Sequence, residues 1–271
     1  MNKESAVRIG IAGLGAIGQE VALAIDNGLP GTRLVAVSTR DQGKAAEFLG
    51  RLKSDVKLVP LAELAEHVDI VVECAPAALL PTILGPVIRS GKRAIVLSVG
   101  ALLDYPDLME QCRATGAQII VPTGALIGLD AVTAAAEGTI RSVHMVTRKP
   151  PEGLRGAPFL VERGIDVSDL KEPLMLYDGN ARGAAKGFPA NLNVAVALAL
   201  AGIGPDRTKL QVWADPGVDR NTHTIDLDSD SASFTMTIRN IPSENPKTGR
   251  ITAKSVIALL RKLSAPLQIG T

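Results

Sequence analysis

Most of the chemistry available to this chain lies in one histidine, one glycine turn and one lysine–asparagine stretch. His223 ends the run Asp215-Pro216-Gly217-Val218-Asp219-Arg220-Asn221-Thr222 and begins an alternating strand. Scaffolds place reactive groups where a polar loop meets a rigid element. An imidazole titrates near ~6.5 and so gives and takes protons around neutrality. His223 is therefore the candidate general acid/base; the other reading is a strand-edge histidine bonded to its own loop. His67 ends a polar helix, and His144 alternates with Val143 and Met145, so both read as structural.

Gly13, Gly15 and Gly18 follow the apolar run Val7 to Ala12 and precede the amphipathic run Gln19 to Asn27. In a strand–turn–helix of this spacing the first glycine allows the bend. The second lets backbone approach a pyrophosphate, and the third lets helix pack on strand. The N–H groups opening the helix, at Ala16 and Ile17, complete an anion site. Glycines also fill ordinary turns; the strand before and the helix after favour dinucleotide binding. The next strand, Arg33 to Thr39, ends in Ser38, Thr39 and Arg40 where a ribose-binding carboxylate would exclude a 2′-phosphate. Hydroxyls plus a guanidinium suit NADP as well as NAD, while a solvated Arg40 is the alternative.

Lys186-Gly187-Phe188-Pro189-Ala190-Asn191-Leu192-Asn193 reads as the start of an apolar helix over 188–203, with Pro189 in its first turn. Two residues apart on a helix, Asn191 and Asn193 point nearly opposite ways. Asn191 is the candidate carboxamide or ribose partner, or else an N-terminal cap. Lys186, the positive helix end and Asn193 are the candidate substrate side, a carboxylate being the matching group. A solvated loop lysine is the competing reading.

These groups need a frame. Short apolar runs at 56–59, 69–75, 94–99 and 118–121 alternate with helical runs at 61–67, 81–90 and 104–115, with Asp104 as expected N-cap. Such alternation predicts a Rossmann-type, doubly wound parallel α/β sheet, with ligands beyond the strand C-termini. Ala75-Pro76-Ala77, Ser98-Val99-Gly100 and Thr123-Gly124-Ala125 fall there; their small residues leave room for a cofactor, with Ala75 and Ala125 as candidate contacts, although small residues also simply make turns. After Thr139 the strands at 141–148, 210–214, 223–227 and 233–239 predict a second α+β domain with a mostly antiparallel sheet. Residues 149–157 read as a long loop. The expected division is 1–139 and 140–250, with a C-terminal helical segment, 251–271, packing back on the first domain.

The 271 residues carry a net charge of +1 with 46% hydrophobic and 3% aromatic residues. That balance argues against nucleic acid or an anionic membrane as partner. Cys74 and Cys112 stand apart without metal-ligand neighbours and read as reduced packing residues, so no metal site is expected. No signal peptide or membrane-length apolar run is evident, and a cytoplasmic protein is the expectation.

The chain resembles the L-aspartate dehydrogenase family from end to end. The resemblance rests on Gly-Leu-Gly-Ala-Ile-Gly at 13–18, Pro-Thr-Gly-Ala-Leu-Ile-Gly-Leu-Asp at 122–130 and Thr-Arg-Lys-Pro-Pro at 147–151. Phe-Pro-Ala-Asn-Leu-Asn-Val-Ala at 188–195, Ala-Asp-Pro-Gly-Val-Asp-Arg-Asn-Thr-His at 214–223 and Asn-Pro-Lys-Thr-Gly at 245–249 complete it. It implies oxidation of L-aspartate to iminoaspartate with NAD or NADP, the reverse amination of oxaloacetate, a link to NAD biosynthesis, and a homodimer. By motif, His223 matches the active-site histidine, and Ala125 and Asn191 match NAD contacts. The His-His-and-lysine pattern of dihydrodipicolinate reductases and the Glu-Lys-Pro segment of the sugar enzymes are absent. The remaining alternatives are a dehydrogenase of another amino or hydroxy acid and a non-catalytic dinucleotide sensor.

Overall fold

A strand buried on both faces needs an unbroken apolar run, and Val7–Ala12 forms the central strand β1 of the first sheet. The computed structural model describes residues 6–190, 192–243 and 249–270. After β1 come α1 (Ala16–Asp26), β2 (Thr32–Ser38), α2 (Gln42–Leu49), β3 (Lys57–Leu58), α3 (Leu64–His67) and β4 (Ile70–Glu73). Then α4 (Leu80–Arg89), β5 (Arg93–Val96), α5 (Leu108–Thr115) and β6 (Gln118–Ile120) complete the alternation. The second half runs α6 (Leu129–Ala136), β7 (Ile140–Lys149), α7 (Pro158–Arg163), β8 (Leu174–Asn180) and α8 (Ala181–Gly187). It continues with α9 (Asn193–Ala201), β9 (Lys209–Ala214), β10 (Asn221–Ser229), β11 (Ser233–Asn240) and α10 (Ile251–Ser264).

The first unit holds the residues up to Pro122 together with Ala253–Gln268. Its six strands lie in the order β3-β2-β1-β4-β5-β6, and every pairing is parallel. This is the doubly wound order, reversing direction beside β1, where ligands collect. On one face Ile9 and Ile11 pack with Val21 and Ile25 of α1 and Val256 and Leu260 of α10. On the other, Val71 and Val96 pack with Leu80 and Leu84 of α4.

The second unit spans Thr123–Thr252, and its sheet has the order β11-β10-β7-β9-β8. Only β7 and β9 run parallel; the other pairings are antiparallel. Val143 and Met145 of β7, Leu210 of β9 and Ile225 of β10 form the inner face, packed with Val132 of α6 and Leu198 of α9. The mostly antiparallel second sheet expected from the strand alternation is therefore present.

Several expected boundaries move. The division falls after Pro122 rather than Thr139, because Leu126, Val132 and Ala135 belong to the same core as Ile140 and Leu198. The helix expected from Asp104 begins at Leu108 with Asp107 at its cap, since Pro106 holds Tyr105 out of the helical region. The helix expected over 188–203 is broken. Phe188 leaves the helical region before Pro189, with φ of −135° and ψ of 54°, Pro189 has no N–H to donate, and α9 starts only at Asn193. The loop expected at 149–157 contains a 3₁₀ turn, Pro151–Leu154, and is followed directly by α7.

The glycine turn between β1 and α1 is sterically uneven. Gly13 has φ of +100°, and a Cβ there would lie 2.5 Å from the Cys74 carbonyl oxygen. A Cβ on Gly18 would collide with the Gly13 carbonyl, whereas one on Gly15 would meet nothing within 4 Å. Two glycines are thus required by the fold and one is not. Gly13→Ala and Gly18→Ala should each cost about 3 kcal/mol and lower the melting temperature by several degrees. Gly15→Ala should melt like the parent protein. Circular dichroism melts check this, and three equal melting temperatures would contradict it.

Candidate active site

Three strand ends meet at the glycine turn. Gly13 N donates to Ser38 O at 2.7 Å, and Cys74 N donates to Ala12 O at 2.8 Å. The turns after β1, β2 and β4 are thereby held together. Gly13, Gly15, Ala16, Ile17 and Gly18 form this turn and the first turn of α1, with Gly15 at its N-cap. Neither an N-cap side chain nor an acid in the first turn of α1 competes for the free N–H groups there. The open space beside Gly15 and these donors fit a dinucleotide pyrophosphate. Ser38 is buried, Thr39 half-buried and Arg40 exposed. Asp41, the nearest acid in sequence, accepts from Lys44 N at 3.1 Å as the cap of α2.

Ala75 is set by a residue that sequence reading passed over. Glu73, buried at the end of β4, accepts from Ala75 N at 3.0 Å, Leu97 N at 3.0 Å, Ser98 N at 2.8 Å and Ser98 Oγ at 3.0 Å. Its carboxylate ties the turn after β4 to the turn after β5. Burial pushes its pKa up, against the pull of those donors. The signal was a lone acid inside Ile70-Val71-Val72-Glu73.

In the second unit, strand periodicity assembles the polar cluster. Val143, Met145, Thr147 and Lys149 share one face of β7, and His223, Ile225 and Leu227 share one face of β10. The register pairs His223 with Thr147. Thr147 Oγ1 lies 2.8 Å from His223 Nδ1, both residues being buried, while Nε2 has no partner among the described residues. Lys149 is only 2% exposed and His223 likewise 2%. Asp215, at the end of β9, donates its N–H to Lys149 O at 2.8 Å. Its carboxylate accepts from Arg148 at 2.9 Å and from Gly217 N at 2.8 Å. Arg148, on the opposite face, also stacks over Trp213 at 4.7 Å.

Ala125 joins the same sheet end. Its carbonyl accepts from Asn240 Nδ2 at 2.8 Å, and Asn240 pairs in register with Asn221, two residues from His223. The segments containing Ala125, Thr147–Lys149 and Asp215–His223 are thus brought together. Two other expectations change. Lys186 lies exposed in the last turn of α8, at the negative end of a helix rather than the positive start of one. Asn193 is the half-buried first residue of α9, and Asn191 lies outside the described residues.

Electrostatics sets the protonation states. Burial, and then the Lys149 charge, holds the His223 pKa well below 6.5, so the ring is a neutral base at pH 7. Burial alone lowers Lys149 from 10.5 to about 8. The unfolded chain therefore binds more protons than the folded one between pH 8 and 10.5. Lys149 costs stability fully below pH 8, by about 3 kcal/mol, and the cost fades as pH rises to 10.5. Lys149→Met should accordingly be more stable than the parent below pH 8, with the difference shrinking toward pH 10.5. Urea melts of both proteins at pH 7, 9 and 10.5 read this directly; a difference independent of pH would refute it.

The comparisons with known proteins agree across the whole chain. Residues 13–122 match the family model described as homoserine dehydrogenase, NAD binding domain, and residues 130–263 match that described as aspartate dehydrogenase, C-terminal. L-aspartate dehydrogenase 3 of Bordetella bronchiseptica is 62% identical over 272 residues, covering 100% of both chains. An L-aspartate dehydrogenase of Bradyrhizobium diazoefficiens is 60% identical, covering 98% of this chain and 95% of that protein. In fold, the crystal structure of an aspartate dehydrogenase from Thermotoga maritima superposes with a TM-score of 0.74 at 23% identity, covering 97% and 99% of the two chains. The chain belongs to the L-aspartate dehydrogenase family.

Proposed function

We propose that this protein oxidises L-aspartate to iminoaspartate with NAD or NADP, and runs the reverse amination of oxaloacetate. The observation that carries the reading is His223: buried, neutral, oriented through Nδ1 by Thr147 and without a partner at Nε2 among the described residues. The cofactor would be held by Gly13, Gly15, Ala16, Ile17, Gly18, Ser38, Thr39, Arg40, Ala75, Ala125 and Asn191. When bound there, the cofactor would supply a hydride acceptor for Cα of the substrate.

The chain's own contribution is proton handling. In the tautomer whose Nδ1–H donates to Thr147 Oγ1 across this 2.8 Å contact, His223 Nε2 carries a free lone pair. It takes a proton from the water that adds to the imine carbon and returns it to the nitrogen, then takes the hydroxyl proton as ammonia leaves and the carbonyl of oxaloacetate forms. A buried ring with a depressed pKa gives that proton up readily at neutral pH. Asn193 and Lys186 remain proposals for the substrate side, Lys186 being the weaker because water solvates it in the free chain. The family resemblance supports a homodimer, a cytoplasmic enzyme and supply of iminoaspartate to NAD biosynthesis. Among the described residues no helix is long and apolar enough to cross a membrane.

Aspartate-dependent formation of reduced nicotinamide tests the activity itself; binding of cofactor without turnover would favour the sensor reading. His223→Asn keeps polarity but cannot shuttle a proton, and should lower kcat by ~10²–10⁴-fold with cofactor affinity unchanged. Turnover retained by that variant from about pH 6 to 9 would reduce the histidine to an orienting role. Exposed Arg40 is proposed to read the 2′-phosphate, so Arg40→Ala should weaken NADP about tenfold or more, near 1.4 kcal/mol, and leave NAD alone. Equal losses for both cofactors, measured by fluorescence titration, would remove Arg40 from that role.

A further inference from the structure

We propose that Lys149 holds one carboxylate of the dicarboxylate substrate beside His223, and so selects dicarboxylates over monocarboxylates. The proposal rests on the activity proposed above and assigns the recognition of its substrate class.

Its first support is a charge left unbalanced. Lys149 as a residue is only 2% exposed, its Nζ keeps a trace of solvent contact, and its ammonium has no hydrogen bond or ion pair among the described residues. Buried cations are ordinarily paired, because an unpaired one forfeits its hydration without return. Asp215, whose backbone is bonded to that of Lys149, does not serve. Asp215 is engaged by Arg148 and by Gly217 N, while its own N–H binds the Lys149 carbonyl. Thr147 and His223 occupy one another, and Asn221, which opens β10 two residues before His223, carries no charge. An anion from outside the chain is the missing partner.

The second support is placement. Lys149 stands two residues beyond Thr147 on the inner face of β7, and Thr147 is the register partner of His223. Two strand residues span about 7 Å, on the order of the length of a four-carbon dicarboxylate. One molecule can therefore present its reacting carbon to His223 and a carboxylate to Lys149. Arg148, one residue away, faces the other side of the sheet and is already paired, so it cannot substitute. Lys186, the cation that the sequence suggested for this task, is exposed, and water would screen its contact.

The experiment compares Lys149→Met and Lys149→Arg with the parent enzyme, using KM and kcat for oxaloacetate amination and the Kd of succinate with reduced cofactor present. Loss of a desolvated, charge-assisted contact should raise KM for oxaloacetate and Kd for succinate by roughly 10²-fold in Lys149→Met. The value of kcat should stay within about tenfold, and Lys149→Arg should recover part of the affinity. A merely structural lysine predicts the opposite split, with substrate constants unmoved. KM and Kd within about threefold of the parent would overturn the proposal, as would a parent enzyme that binds no succinate. If the methionine variant does not fold, a crystal structure of the parent enzyme with succinate decides. A carboxylate oxygen about 3 Å from Lys149 Nζ supports the assignment, and succinate bound elsewhere refutes it. Aspartate turnover by the parent enzyme is scored separately. Its absence with intact succinate binding at Lys149 would sink the activity and leave the anion site standing.

Discussion

The pairing of β7 with β10 is the constraint on which the site in the second unit depends. Side chains alternate along a strand, so a slip of one residue would turn every inward group outward. A slip of β10 would turn His223 to the open side and drive Thr222 into the core, and a slip of β7 would do the same to Thr147 and Lys149 and to Arg148. The register is fixed by apolar residues remote from the chemistry. Val143 pairs with Leu227 and Met145 with Ile225, all buried, so misalignment would expose a row of core side chains. Folding energy earned at the middle of the strands thus orients polar groups at their ends.

The first unit solves a similar problem by different means. Parallel strands end in turns whose backbone donors have no ladder partner, and the turns after β4 and β5 must hold one shape. Glu73 supplies four acceptor contacts from one buried side chain. A carboxylate is suited to this because both oxygens accept and neither needs a donor position filled. The desolvation cost shows in its raised pKa, and the four donors offset it. Ala75 and Ser98 therefore inherit their positions from a residue that need not touch a ligand.

Much of this was legible in the sequence, and the failures have physical causes. Period-two and continuous apolar runs revealed both sheets, since burial on one or two faces leaves that trace directly. The glycine spacing located the turn at 13–18. Proline misled twice: Lys149-Pro150-Pro151 read as the opening of a loop, although Lys149 completes the inner-face series Val143, Met145, Thr147. Pro189 read as the first turn of a helix, whereas it separates α8 from α9 and leaves Lys186 at a helix end of the wrong polarity. Local preference cannot say whether a proline starts an element or ends one; packing of the flanking segments does. The unit boundary was hidden for the same reason, because α6 resembles another crossover helix until its contacts with Ile140 and Leu198 are known.

Adjacent residues 148 and 149 carry equal charges into opposite environments. Arg148 lies on the outer face with Asp215 and Trp213 as partners, and its charge is neutralised within the fold. Lys149 lies on the inner face with none among the described residues. Strand alternation alone produces this asymmetry, without any special backbone geometry. The order of the two residue types also matters. Arginine resists deprotonation and suits a permanent ion pair, whereas lysine shifts its pKa readily when buried. An inward arginine would keep its charge through the working pH range and demand a resident acid. Burial instead brings Lys149 to about 8, close enough to neutrality that its charge is weakly held in the free protein and strengthened by any anion that arrives. The same charge depresses the His223 pKa. An anion that neutralises Lys149 would therefore make the imidazole more basic, so that occupancy of the anion site and readiness of the base are coupled through one buried charge.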